Sequence, residues 1–138
     1  MGRWLGIDFG TKRTGIAVTD PMRIIAQPLE TVPTATAIEF LVHYCKAEAV
    51  ERIVIGAPVN WDGSATHATA PAAQFRQRLA KQLPHIPIDT IDERNSSKEA
   101  AQVLIQSGTK KKKRQEKGML DKVSAALLLQ QYMEMHPE

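Results

Sequence analysis

Apolar positions fall in short runs over the first third of the chain and then change period. Trp4 to Phe9 is a short apolar run, Gly10-Thr11-Lys12-Arg13 is turn chemistry, and Gly15 to Thr19 is a second run carrying Ile16 and Val18. That pattern predicts a β-hairpin. Ile24 to Val32 predicts a third strand, displaced toward a sheet edge by Pro28, which has no N–H to give a ladder, and closed by Pro33. From Thr34 to Ala49 the period becomes helical, with Ile38, Leu41, Val42 and Cys45 on one side and Thr34 or Thr36 available as N-cap. Arg52 to Gly56 is apolar on both faces and predicts a strand covered on both sides. Pro58 to Gly63 predicts a loop, Thr66 to Leu83 a helix with Phe75 and Leu79 inward, and Ile86 to Ile91 another strand. A third helix is expected over Ser96 to Gln106, capped by Ser96 or Ser97 with Glu99 in its first turn, and a fourth over Met119 to Met135. The order β-β-β-α-β-α-β-α-α implies an α/β fold: a mixed sheet with helices on its faces. No repeat, linker or low-complexity block divides the chain, so residues 1–138 are expected to form one domain.

Composition narrows the class. At 138 residues, 43% hydrophobic and 24% charged, the chain can bury a core without a staple. Its single cysteine, Cys45, excludes an intrachain disulfide and a Cys-rich zinc site and points to the cytoplasm. Asp8 interrupts the first apolar run, so no signal peptide is expected, and no stretch approaches membrane-spanning length.

Three carboxylates stand where structural explanations are weak. Asp8 lies between Ile7 and Phe9 at the end of a strand expected to be central. Burial there costs several kcal/mol, on the order of a full desolvation penalty, unless the charge is paired. Capping the turn through the N–H of Thr11 or Lys12 is the alternative. Glu93 ends the last strand, on the side of Ile91 and Asp89, where ligands bind in open α/β sheets; a surface pair with Arg94 is its plain alternative. Asp121 is expected in the first turn of the last helix, heading the stripe Asp121, Ala125, Leu128, Tyr132. Three convergent carboxylates without a His or Cys framework suit a hard cation, Mg²⁺ or Mn²⁺, acting on a phosphodiester.

Charge supports such a substrate. Residues 1–93 carry nine basic and ten acidic side chains, and residues 94–138 carry nine and five, so the last third is +4 against −1. Lys110, Lys111, Lys112, Lys113, Arg114 and Lys117 concentrate that excess just before Asp121, either as a solvated loop or as a phosphate-binding one. Lys12, Arg13 and Arg94 could add phosphate contacts. Aromatic stacking partners are scarce, so binding should rest on backbone charge. Walker A, HExxH, GxSxG and dinucleotide GxGxxG motifs are absent, and the four histidines have no zinc spacing.

Four blocks carry a resemblance. Asp8-Phe9-Gly10-Thr11-Lys12-Arg13-Thr14-Gly15-Ile16-Ala17-Val18 resembles the opening signature of the YqgF (RuvX-like) family, small bacterial proteins with a ribonuclease H-like fold. Ile55 to Ser64 resembles its Gly-x-Pro-x-x-x-x-Gly loop, Asp92-Glu93-Arg94 its Asp-Glu-Arg, and Asp121 with Ser124-Ala125-Ala126 its last acidic motif. Asn95 departs from the Leu that the family commonly has after the Arg. The resemblance implies a five-stranded mixed sheet, three antiparallel strands then two parallel, with helices on both faces. It also implies a metal-binding triad of Asp8, Glu93 and Asp121. Family members are described as Holliday junction resolvase-like and as nucleases maturing the 5′ end of pre-16S rRNA. The expected partners are therefore nucleic acid, either pre-rRNA or branched DNA, and ribosomal particles, with no membrane. A non-catalytic RNA-binding assembly factor is the reading from another class. An ATP-binding reading, from the likeness of Asp-x-Gly-Thr to the phosphate loop of actin-like and sugar kinases, ranks low, because those folds close two such domains around the nucleotide and 138 residues supply one.

Overall fold

The structure is a computed structural model that describes residues 2–57, 69–92 and 117–135. Strands β1 (Arg3–Asp8), β2 (Arg13–Thr19) and β3 (Ala26–Pro33) come first. They are followed by α1 (Thr34–Ala47), β4 (Val50–Ala57), α2 (Thr69–Gln82), β5 (Ile88–Asp92) and α3 (Lys117–Met135). The sheet order is β3-β2-β1-β4-β5, antiparallel across β3-β2-β1 and parallel across β1-β4-β5. β1 is central and β3 an edge, as the hydrophobic pattern and Pro28 predict. Opposite Ile16 and Ala17, the register of β3 skips from Glu30 to Pro28, so Leu29 is the extra residue of a bulge.

Strand alternation divides the core. Leu5, Ile7, Ile16, Val18, Ile53 and Ile55 pack with Leu41, Phe75 and Leu79 under α1 and α2. Trp4, Ala17 and Val54 face α3 and pack on Ala125, Leu128, Leu129 and Tyr132. α3 comes very close to the sheet, because the strand residues beneath it include glycines. A Cβ on Gly6 would lie 2.7 Å from Leu129 Cβ and 2.9 Å from the Ala125 carbonyl oxygen. One on Gly15 would overlap the Asp121 carbonyl.

Several local expectations are revised. Ile24 and Ile25 precede β3 and are 72% and 52% exposed, in a loop where Arg23 takes φ 58°. Asp20 makes that loop: its carboxylate accepts from the N–H groups of Met22, Ile24 and Ile25, and these bonds, with Ile25 foremost, hold its pKa below the ordinary value. The N-cap of α1 is Pro33, without a side-chain cap. Neither threonine caps, because Thr36 Oγ1 donates backward to the Pro33 carbonyl and Thr34 serves the hairpin turn. β5 begins at Ile88 because Pro87 precedes it and Ile86 is buried in the connection. The helix expected over Ser96 to Gln106 and the loop Pro58 to Gly63 lie outside the described residues.

The far end of α3 is clasped to the sheet by a polar chain. The Arg52 guanidinium lies 4.9 Å from the Trp4 ring centroid and donates to Tyr132 Oη at 2.7 Å, and Tyr132 donates to Asp89 Oδ2 at 2.7 Å. Burial first, and the bond to Asp89 second, push the Tyr132 phenol above its ordinary pKa of 10.0. An acid whose pKa is raised in the fold contributes stability that is complete below its unfolded pKa and is lost as pH rises through the folded one. Tyr132→Phe should therefore cost about 1 kcal/mol in urea denaturation at neutral pH, a typical hydrogen-bond loss, and flatten the decline of stability above pH about 10.

Candidate active site at the strand ends under α3

Asp8 ends β1, opposite Gly15 of β2 and beside Gly56 of β4. Directly paired residues project to the same face, so the Asp8 side chain joins Trp4 and Gly6 on the α3 side. The Asp121 backbone rests on Gly15. Asp8 and Asp121, 113 positions apart in sequence, thus both border one bare glycine on the same face of the sheet, Asp8 from the neighbouring strand and Asp121 from the helix above. Asp121 is the fifth residue of α3, which begins at Lys117. It therefore lies one turn in, beyond the first-turn position expected, and the free N–H groups of the helix start are not its main support.

Its partner is Arg13, on the same face of β2 as Gly15. Arg13 Nε donates to Asp121 Oδ2 at 3.0 Å, with the two side chains 40% and 26% exposed. One turn further along α3, Ser124 is 1% exposed, and its Oγ has no hydrogen-bond partner among the described residues. Glu93, Arg94 and Lys110 to Arg114 lie outside the described residues, as does the side chain of Lys117. Among the described residues no three His, Cys, Asp or Glu side chains form a cluster able to hold a metal.

The turn between Asp8 and Arg13 is tied to α1. Thr34 N–H donates to the Lys12 carbonyl at 3.0 Å and Thr34 Oγ1 to the Gly10 carbonyl at 2.5 Å. With that hydroxyl proton committed, fully buried Thr14 Oγ1 is the donor in its 2.9 Å contact with Thr34 Oγ1. Lys12 is left exposed on the turn. On the opposite face of the sheet a cleft of about 290 Å³ is lined by Phe9, Thr11, Thr34, Phe75 and Arg78, apart from the carboxylates.

Other sequence candidates resolve simply. Trp4 is 4% exposed and packs edge-on against Tyr132 at 5.6 Å, so it is no platform for a base. His43 and His85 are exposed. The sequence reads Asp89 as strand alternation and Thr34 as a cap, and neither reading contains the hydrogen bonds the two residues make to Tyr132 and to the hairpin turn. Among the described residues no helix is long and apolar enough to cross a membrane.

Asp8 and Asp121 offer carboxylate oxygens from two elements beside Gly15, and oxygen donors of this kind are what a hard divalent cation takes, so the two residues fit part of such a site.

A five-stranded mixed sheet in this order, with helices on both faces, is a ribonuclease H-like fold. It is shared with Thermus thermophilus RuvC. RuvC in complex with Holliday junction substrate superposes with a TM-score of 0.60 over 99% of this chain and 97% of that one, at 14% identity. A second Thermus thermophilus RuvC structure gives 0.54 at 16% identity over 96% of each chain. The RuvX family model, described as Holliday junction resolvase, matches residues 2–135, and the chain belongs to that family. Similar proteins carry the name "Putative pre-16S rRNA nuclease", two of them as follows. The Chlorobium phaeobacteroides protein is 46% identical over 132 residues, covering 96% of this chain and 92% of its own. The Bacteroides fragilis protein is 43% identical over 134 residues, covering 97% of each.

The approach over Gly15 gives a direct test. Gly15→Ala inserts a methyl group against the Asp121 backbone and should destabilise by about 1–3 kcal/mol, the usual cost of overpacking. Thermal denaturation measures it, with Gly10→Ala excluded as a control because that turn is itself crowded by the Arg13 carbonyl.

Proposed function

We propose that the chain is a divalent-metal-dependent endonuclease that matures the 5′ end of pre-16S rRNA. The observation that carries this reading is the convergence of Asp8 and Asp121 on Gly15, at the carboxyl ends of parallel strands. The family is one of nucleases, so the reaction class is phosphodiester hydrolysis. The names of close relatives supply the substrate.

Asp8 and Asp121, with Glu93 one residue beyond β5, are the proposed ligands. By strand parity Glu93 is expected on the face of Asp89 and Ile91. When bound, the cation supplies Lewis-acid activation of a water and charge stabilisation at the leaving oxygen. The protein's own part would be to hold the carboxylates together against their mutual repulsion, with Asp8 carried by the end of β1 and Asp121 by α3. Lys12 and Arg13 on the turn, with Arg94, Lys110, Lys111, Lys112, Lys113, Arg114 and Lys117, are the proposed phosphate contacts.

A second reading, resolution of four-way DNA junctions by the same carboxylates, is favoured by the family description and by the fold shared with RuvC. One experiment separates them. Wild type and Asp121→Asn are incubated with Mg²⁺ or Mn²⁺ on a 5′-extended pre-16S rRNA fragment and on a four-way junction. The rRNA should be cut, the variant should lose at least about a hundredfold in rate, and its melting temperature should stay within a few degrees, since a half-exposed ion pair is worth about 1 kcal/mol or less. Paired symmetric nicks in the junction alone would reverse the assignment, and no cutting of either would leave an RNA-binding assembly factor.

The basic segment has its own signature. Replacing Lys110, Lys111, Lys112 and Lys113 with Gln should weaken RNA binding and flatten the dependence of log affinity on log salt by up to about 0.7 per lost single-strand contact. An unchanged slope in an anisotropy titration would mark the segment as solvated only.

A further inference from the structure

Arg13 meets Asp121 through one edge of its guanidinium. Nε alone donates, to Oδ2 alone, and the two terminal nitrogens make no hydrogen bond among the described residues. A guanidinium is a rigid planar fork of five donors, so fixing one N–H fixes the plane and the aim of the rest. The fold enforces the pairing. Arg13 and Gly15 project from one face of β2, and the α3 backbone at Asp121 lies against Gly15. At 40% exposure the Arg13 side chain remains open to solvent next to the face that carries Asp8.

We propose that Arg13 is a phosphate-binding residue presented by Asp121: the carboxylate holds the guanidinium through Nε, and the terminal nitrogens take the non-bridging oxygens of a substrate phosphate beside the carboxylates. The proposal deepens the nuclease reading and rests on it. Asp121 would then have two tasks, orienting Arg13 through Oδ2 and serving among the proposed cation ligands. Lysine cannot substitute, because a single ammonium cannot keep the carboxylate and grip a phosphate bidentately. Lys12, exposed on the turn, is a plain charge by comparison.

The test is an anisotropy titration of the 5′-extended pre-16S rRNA fragment in EDTA at about 0.1 M salt, where screening leaves contacts within about 10 Å. Wild type, Arg13→Gln, Arg13→Lys, Asp121→Ala and the Arg13→Gln/Asp121→Ala double variant are compared, each checked for a cooperative melt. Arg13→Gln should weaken binding about fivefold in the wild-type background and less than about twofold in the Asp121→Ala background, where no side-chain acceptor remains for Nε, a coupling that only interacting residues give. Arg13→Lys should recover less than half of the loss, and a folded Arg13→Lys protein carries the test if Arg13→Gln does not fold. Equal losses in both backgrounds, or full rescue by Lys, would overturn the proposal. So would a larger loss in the Asp121→Ala background, which would mean that Asp121 sequesters Arg13. If wild type binds neither this RNA nor a four-way junction, the nuclease reading fails and takes the proposal with it, an outcome read from the first titration alone.

Discussion

Everything at the candidate site depends on how closely α3 approaches the sheet. A helix normally rests on a sheet through side chains on both sides. Here Gly6 and Gly15 remove the sheet's contribution, and the backbone of α3 settles into the space. Leu129 and Ala125 sit over Gly6 while Asp121 sits over Gly15. Because the same contacts bury Leu128, Leu129 and Tyr132, the apolar energy that seals the second core also fixes the height of Asp121 above Asp8. The position of the carboxylate is thus a by-product of packing rather than of a flexible loop.

The two ends of α3 are secured differently. At the far end, Trp4, Arg52, Tyr132 and Asp89 form a chain of aromatic and polar contacts that fixes rotation. At the near end the ion pair of Arg13 with Asp121 is half-exposed and energetically slight. The contacts that secure α3 therefore lie mostly away from the candidate site, and the ion pair at the near end orients its two side chains while adding little to the stability of the fold.

Much of this was legible in the sequence, for physical reasons. β4 alternates between two covered faces, so its unbroken Ile-Val-Ile run identified a covered strand, and Pro28 identified the edge. The stripe from Asp121 to Tyr132 gave the buried side of α3 because helical spacing leaves little choice. Pairing across β1 and β2 was also accessible, yet its consequence was not. That Gly15 stands opposite Asp8 and under Asp121 is a tertiary fact, and a glycine in a strand has several causes. Thr34 misled for a similar reason: a threonine before a helix reads as a cap, but the neighbouring turn competes for its hydroxyl and wins. The side-on ion pair had no local signal, since its partners lie 108 residues apart.

The loop before β3 bears on how the protein behaves in concentrated solution. Met22, Ile24 and Ile25 are exposed at the mouth of an edge strand, a setting that ordinarily invites another chain to add on. Asp20 already occupies the backbone donors of all three, and the bulge at Leu29 with Pro28 interrupts the ladder just beyond. The apolar side chains are therefore presented without the hydrogen-bonding rail that strand growth requires. Because those N–H bonds favour the charged carboxylate, with Ile25 foremost, Asp20 stays ionised further into acid than an ordinary aspartate, and the cover over this flank persists with it.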